Sequence, residues 1–412
     1  MTDIEELRKV IGRFRSQAKK ADIAVNLVPS ENKLSPLAQL PLSTDYYNRY
    51  FFNDALDPGF WQFRGGQEAA EIETELTLGQ LSRLGRAPHV NARPVSGLSA
   101  MMMAMAGLGG KPGGTVVSID ATSGGHYATA DIARRLGFES ATVPVVRGRV
   151  DEQRLGQVLR EREPELVYLD LQNSRHELEV SGVADLIRAH SPRTHLHVDC
   201  SHTMGLVLGA ALGNPLDAGA DTMGGSTHKS FPGPHKGVLF TRNPELHQRL
   251  KKAQFTMLSS HHFAETLALG LAAAEFRHFG QAYAEQVIGN ARLFSKLLAA
   301  DEFEVAADED GHITSTHQVW VKIGDAEQTD RFSESLYDHG IRANVQVDLP
   351  DFPGPMLRLG INELTFMGGR EAAVHALAKE FSNVRAGVRR DGGGSRRVRE
   401  HYGLPFYFVE FS

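Results

Sequence analysis

His197-Val198-Asp199-Cys200-Ser201-His202, followed by Gly224-Gly225-Ser226-Thr227-His228-Lys229-Ser230-Phe231-Pro232-Gly233-Pro234, decides how this chain is read. The apolar stretch Leu196 to Val198 ends in a single acid, Asp199. Thirty positions on, Lys229 stands in a glycine- and hydroxyl-rich turn ahead of a second apolar run, Gly237-Val238-Leu239-Phe240. A lysine in such a turn forms an imine with an aldehyde if its surroundings keep the amine largely unprotonated. A carboxylate at a strand end pairs with a protonated ring nitrogen and makes that ring an electron sink.

Read singly, Asp199 is a strand-end cap and Lys229 a solvated lysine. Read together, they hold a pyridoxal phosphate ring from both ends. Around them, strand-like and helix-like segments alternate. Helices are expected over Glu68 to Leu84, Val95 to Leu108, His126 to Leu136, Glu152 to Arg162 and Val183 to Ala189. Strands are expected over Thr115 to Ile119, Glu139 to Val145, Leu166 to Leu169 and His195 to Val198. This rhythm predicts an α/β domain whose mostly parallel sheet is covered by helices. Such sheets bind ligands at the carboxyl ends of their strands, where Asp199 falls.

Beyond Phe240, helices are expected over Pro244 to Lys252, His262 to Phe276, Tyr283 to Ala300, Asp330 to His339 and Glu371 to Arg385, with strands over Thr314 to Ile323 and Leu357 to Leu359. The expected division is an N-terminal arm with an aromatic loop (1–66), a large cofactor-binding domain (67–285) and a smaller C-terminal α/β domain (286–412). The arm opens with a helix, Ile4 to Lys20. The aromatic loop holds Tyr46-Tyr47-Asn48-Arg49-Tyr50-Phe51-Phe52 and Phe60-Trp61-Gln62-Phe63-Arg64-Gly65-Gly66, a density that suits a ligand-facing or intersubunit position. Arg385 to Arg399 reads as a flexible basic loop.

A formal net charge of -6 over 412 residues offers no general attraction for nucleic acid or anionic lipid. The single cysteine, Cys200, excludes an internal disulfide and any cysteine cluster for a metal. No apolar run is long enough to cross a membrane, and the polar, acidic start lacks a signal segment. The expectation is a cytoplasmic protein with small-molecule partners, no metal, no nucleic acid and no membrane.

Further polar residues stand where a cofactor needs them. Ser96-Gly97-Leu98 opens a helix, and its free amides and hydroxyl form a phosphate seat. Gly124-Gly125-His126 follows a strand and lets an imidazole approach a ring face closely. His202 lies three residues past Asp199, His228 adjoins Lys229, and Arg358 sits in the apolar Pro355-Met356-Leu357-Arg358-Leu359-Gly360. A buried guanidinium needs an anionic partner: either an internal acid or a substrate carboxylate gripped by two parallel hydrogen bonds.

In order and spacing, these units resemble the serine hydroxymethyltransferase branch of fold-type I pyridoxal phosphate enzymes, from Ser30-Glu31-Asn32 through Asn48-Arg49-Tyr50, Arg64-Gly65-Gly66, Ser96-Gly97, Gly124-Gly125-His126, Val198-Asp199-Cys200-Ser201-His202 and Thr227-His228-Lys229 to Arg358-Leu359-Gly360. The resemblance implies an aspartate aminotransferase-like fold and assigns roles. Lys229 is the imine lysine, Asp199 the partner of the pyridine nitrogen and His126 the ring-stacking histidine. Ser96, Gly97 and Leu98 form the phosphate cup. His202, Thr227 and His228 line the pocket, Ser30 and Arg358 contact the substrate carboxylate, and Tyr50 reaches the neighbouring subunit's cofactor. It also implies a homodimer or tetramer with shared active sites.

Departures from the family pattern bear on the reaction. In folate-using members a glutamate follows the tyrosine matching Tyr50 by two residues, and paired tyrosines precede the Gly-Gly. Here those positions hold Phe52 and Phe63-Arg64, with Asp54 and Asp57 as the nearby carboxylates. An apolar ring neither carries a proton nor hydrogen-bonds a folate nitrogen. Retro-aldol chemistry survives that loss. The leading expectation is therefore a transaldolase, closest in character to the L-threonine transaldolase relatives, that moves the glycine unit of a β-hydroxy amino acid onto a bulky aldehyde in specialised, antibiotic-type biosynthesis. Arg64 is available to an anionic substrate group. The alternatives are a folate-dependent serine or α-methylserine hydroxymethyltransferase, another pyridoxal phosphate enzyme such as an aminotransferase, and a non-catalytic dimeric scaffold.

Overall fold

Thr115-Val116-Val117-Ser118-Ile119 and Leu166-Val167-Tyr168-Leu169-Asp170 are apolar or β-branched almost throughout, the composition of strands covered on both faces. In the computed structural model, which describes residues 3–49, 67–258, 262–388 and 393–409, both are buried along their whole length. They belong to a seven-stranded sheet built from β1 (His89–Asn91), β2 (Thr115–Ile119), β3 (Glu139–Val143), β4 (Leu166–Asp170), β5 (His195–Asp199), β6 (Thr222–Ser226) and β7 (Gly237–Thr241). Its order is β1-β7-β6-β5-β4-β2-β3. Strand β7 runs antiparallel to β1 and β6, and every other pairing is parallel.

The register sets the site. Asp170 at the end of β4 lies opposite Asp199 at the end of β5, and Asp199 lies opposite Gly224 of β6. Adjacent strand ends thus present two acids and, just beyond β6, the turn carrying Lys229.

A smaller antiparallel sheet follows, with β8 (Glu304–Val305), β9 (Gln318–Lys322), β10 (Asn344–Leu349) and β11 (Phe352–Gly360) in the order β8-β9-β11-β10. One helix, Phe263–Ala300, joins the two sheets. Its Leu269, Phe276, Tyr283 and Phe294 share a continuous apolar core with Val198 of β5 and with Val319 and Leu357 of the small sheet. Position 285, the expected domain boundary, falls inside this helix.

That helix differs from the expected pair, His262 to Phe276 and Tyr283 to Ala300. Gly280 does not break it. The glycine makes room, since a Cβ there would meet the Phe276 ring at 2.4 Å, and its carbonyl lies against Gly209. The basic segment also differs from expectation. Gly393–Arg399 is helical, Val398 is fully buried, and Arg397 makes two bonds to Glu380 at 2.7 and 2.6 Å. A partly buried ion pair and an apolar anchor thus hold what composition alone describes as loop. Among the described residues no helix is long and apolar enough to cross a membrane.

Candidate active site

The helix that follows β1 spans Gly97–Leu108. Ser96 caps it by accepting from the amide of Ser99, while the Ser99 hydroxyl accepts from the amide of Ser96. This reciprocal cap fixes the helix start and leaves the amides of its first turn facing a cavity. Gly97 is buried there because a Cβ would lie 2.0 Å from the Ser226 hydroxyl. The cavity is lined by Gly97, Leu98, Met101, His126, Asp170, Leu171, Gln172, Asp199, Ser201, His202, Ser226 and Lys229. A larger cavity of about 400 Å³ lies behind Asp199 and His202, toward Arg147, Arg149 and His176. It contains no lysine, so chemistry rather than size locates the site.

Lys229 is held by its main chain. Its carbonyl accepts from the side-chain amides of Asn32 at 2.8 Å and Asn362 at 3.2 Å, which tie the N-terminal arm and the C-terminal domain to the lysine turn. Burial lowers the amine from its ordinary value to about 8, against the opposing pull of Asp199. Asp199 accepts from the amide of Ser201 at 2.7 Å and from the phenol of Tyr168 at 2.6 Å. Gly225, at φ +127°, lets the backbone pass that carboxylate, because a Cβ would sit 2.6 Å from Oδ1.

Two uncharged imidazoles flank these groups. Burial lowers the pKa of His126, whose Nδ1 accepts from the amide of Ala128 at 3.3 Å. His202 is lowered further by burial, then by the positive charges of Lys229 and Arg358. It stacks on His317 with centroids 5.8 Å apart, and its Nδ1 is buried without a partner. Asp170 is pushed up to about 8 by burial and accepts from the hydroxyl of Thr129.

Arg358 carries the clearest substrate signal. It is 3% exposed, bonds the side-chain oxygen of Asn173, has a buried Nε without a partner, and has no acidic partner among the described residues. Desolvation lowers it to about 10. Of the two readings open in the sequence, an internal ion pair is absent among the described residues, and the substrate-carboxylate reading stays open. Ser30 is half-buried in the turn after Pro29, which packs on Gly360 just beyond Arg358.

Other expected residues stand apart from the cavity lining. Thr227 is buried, and its hydroxyl donates to the carbonyl of Pro234 at 2.7 Å, closing the lysine turn. His228 packs on His235 with centroids 4.1 Å apart, and burial lowers it to about 3. Tyr50 and Arg64, with the Phe60 to Phe63 aromatics, lie outside the described residues. Sequence reasoning missed Tyr168, Asp170, Ser201 and Ser226. Asp170 was within reach, since it ends an apolar strand as Asp199 does.

This set fits pyridoxal phosphate: an amine of lowered pKa, a strand-end carboxylate for the ring nitrogen, a neutral imidazole, a helix start for the phosphate and a Gly97 where a Cβ would crowd the Ser226 hydroxyl. Fold and donor set together define a fold-type I pyridoxal phosphate enzyme. Known proteins agree. The serine hydroxymethyltransferase family model matches residues 4–380. Two relatives named L-threonine:uridine-5'-aldehyde transaldolase, from Streptomyces sp and Amycolatopsis sp, are 83% and 82% identical, each with 100% of both chains covered. The crystal structure of L-threonine transaldolase from Pseudomonas fluorescens superimposes with a TM-score of 0.83 at 24% identity, covering 97% of this chain and 93% of that one, a likeness of fold. The chain belongs to the serine hydroxymethyltransferase family. It is a pyridoxal phosphate-dependent transferase of aldol type, acting on a β-hydroxy amino acid.

Proposed function

We propose that this enzyme takes L-threonine, releases acetaldehyde and transfers the remaining glycine unit to uridine-5'-aldehyde, giving a β-hydroxy-α-amino acid that carries a nucleoside. Full-length identity of 83% to a relative so named carries the reading. The Arg358 guanidinium, with no acidic partner among the described residues and near enough to Lys229 to help lower its pKa, supports the amino-acid half of it. The bound cofactor supplies an aldehyde for the amine and an electron sink for the carbanion at Cα.

The residues divide the remaining work. Arg358 grips the threonine carboxylate, with Ser30 alongside. Lys229, its amine lowered to about 8, would hold the cofactor's aldehyde. Asp199, braced by Tyr168 and Ser201, keeps the ring nitrogen protonated, and Ser96, Gly97 and Leu98 hold the phosphate. His202 stays uncharged in the cavity it lines with Lys229. The proton lost from the threonine hydroxyl when Cα–Cβ breaks is the one gained by the acceptor aldehyde oxygen when the new bond forms. One neutral carrier therefore serves both halves, and we assign that role to His126.

We also read the enzyme as a homodimer. The N-terminal helix Asp3–Ile23 exposes Leu7, Val10 and Phe14 at 58%, 54% and 71%, an apolar stripe at helical spacing that suits a second copy. Glutamate at positions 7 and 14 together should shift the sedimenting species to half its mass. An unchanged mass would remove this helix from the interface.

The test of the reaction is incubation of the holoenzyme with L-threonine and uridine-5'-aldehyde in the absence of folate. Acetaldehyde and a coupled product of the summed mass less acetaldehyde are expected in equal amounts. Coupling only with serine and tetrahydrofolate would overturn the proposal in favour of hydroxymethyl transfer.

A further inference from the structure

His126 lines the lysine cavity, and the next residue, Tyr127, is 76% exposed. The two rings stack with centroids 4.6 Å apart and planes 25° apart. Resting on His126, Tyr127 presents an outward-facing aromatic shelf one ring's thickness from a cavity-lining imidazole. A phenol ring left this open gains little for folding, since most of its apolar surface still meets water.

The backbone beneath it is fixed. The carbonyl of Gly124 accepts from the amides of Gln172 at 2.9 Å and Asn173 at 3.1 Å, and the amide of Gly125 donates to Asp120 at 3.1 Å. Gly124 adopts φ +104°, and a Cβ there would lie 2.4 Å from the carbonyl of Asn173. Thr129 donates its amide to the carbonyl of His126 at 3.2 Å, which starts the helix Thr129–Arg135. The stack therefore stands on a turn braced against the loop after β4 and the residue that follows β2.

We propose that Tyr127 is a specificity-determining residue whose exposed face stacks the uracil ring of the acceptor while its aldehyde carbon enters the lysine cavity. The proposal rests on the nucleoside-aldehyde reading above. In a nucleoside 5'-aldehyde the reacting carbon is carried on C4' and the base on C1', the two carbons flanking the ring oxygen, so the sugar separates them and leaves the base room outside the cavity when the aldehyde lies within it. A flat pyrimidine at that distance needs a flat partner, and every base offers a π-face for such contact. Tyr127 has the right chemistry, and it stacks on His126, which lines the cavity.

The experiment compares uridine-5'-aldehyde with the 5-aldehyde of methyl ribofuranoside, which lacks the base, in wild type, Tyr127→Phe and Tyr127→Ala. Using the ratio of kcat/KM within each variant cancels losses from misfolding or from a disturbed His126. Stacking on an aromatic side chain accounts for about 5- to 150-fold per base. The preference for the nucleoside aldehyde should fall by a factor in that range in Tyr127→Ala and persist in Tyr127→Phe. An unchanged ratio in Tyr127→Ala, with the wild type active on uridine-5'-aldehyde, overturns the shelf and leaves the function standing. A companion measurement follows uridine itself as a competitor of acetaldehyde-forming threonine cleavage. Competition by uridine that is lost in Tyr127→Ala upholds the shelf even if uridine-5'-aldehyde is not turned over, whereas absence of both turnover and competition overturns shelf and function together.

Discussion

The phenolic oxygen of Tyr168 donates to Oδ2 of Asp199 across 2.6 Å, from a strand position fully buried under the cofactor cavity. Its ring stacks on His197 at 4.7 Å, so the phenol approaches from below the sheet's end while the amide of Ser201 approaches Oδ1. The acid is thereby held by two donors before any ring nitrogen arrives. Burial and the adjacent Asp199 charge raise the Tyr168 pKa, so the phenol stays a donor throughout the working range.

Replacing Tyr168 with Phe removes one donor from a buried carboxylate and leaves the ring stack in place. Hydrogen bonds to charged groups contribute about 1.5–3 kcal/mol, so the cofactor-free protein should lose about that much unfolding free energy and unfold at a lower urea midpoint. An unmoved midpoint would mean that Oδ2 finds a replacement donor.

Arg358 leads to a split outcome. Among the described residues its guanidinium has no acid to neutralise it, its Nε is buried without a partner, and burying an uncompensated charge is costly. Arg358→Leu should therefore leave stability equal or improved. Toward threonine the same change removes the carboxylate clamp, and kcat/KM should drop by about 30-fold or more, the lower end for truncating a buried charge pair. Loss of stability with unchanged threonine kinetics would instead identify a structural arginine.

Lys229 makes both cofactor capture and stability depend on pH. Its amine titrates near 8 in the folded chain because burial disfavours the charged form, whereas an unfolded lysine titrates near 10.5. Between those values the unfolded chain binds more protons, so stability rises with pH there. The penalty of the buried charge accumulates as pH falls from 10.5 through 8, then levels off. The stability difference between Lys229→Met and wild type, both without cofactor, should grow over that window as pH falls. Pyridoxal phosphate capture by the wild type, which needs the neutral amine, should accelerate up to about pH 8 and then flatten. A difference that does not vary with pH would show that the amine keeps its ordinary pKa.

Sequence made much of this site legible because its signals are local. Asp151 caps Glu152–Arg162 and Ser96 caps Gly97–Leu108, and both helices follow the expected spans closely. Lys229, Asp199, His126 and His202 were recognisable from strand ends and glycine-flanked turns, and the structure brings all four to one cavity. What stayed hidden depends on pairing across the sheet. Nothing within Leu166–Asp170 says that Asp170 will stand opposite Asp199, or that Tyr168 will reach it from the neighbouring strand. The helix Gly393–Arg399 was hidden for a similar reason, since its ion pair with Glu380 crosses to another helix.

Gly97 tests the phosphate seat by steric means. A Cβ at this position would lie 2.0 Å from the Ser226 hydroxyl and 3.1 Å from its Cβ, so Gly97→Ala must push the helix start away from β6. Because the seat depends on amides aimed from that helix end, the displacement should weaken pyridoxal phosphate binding. Overpacking costs about 1–3 kcal/mol, which corresponds to about 5- to 150-fold in affinity when expressed at the ligand. The obstruction is mainly one hydroxyl, so adding Ser226→Ala should recover part of the loss, even though Ser226→Ala alone removes a cavity-lining hydroxyl. Cofactor absorbance after dialysis against graded pyridoxal phosphate measures all three variants. If the double variant binds no better than Gly97→Ala, contact with Ser226 is not what keeps this position a glycine.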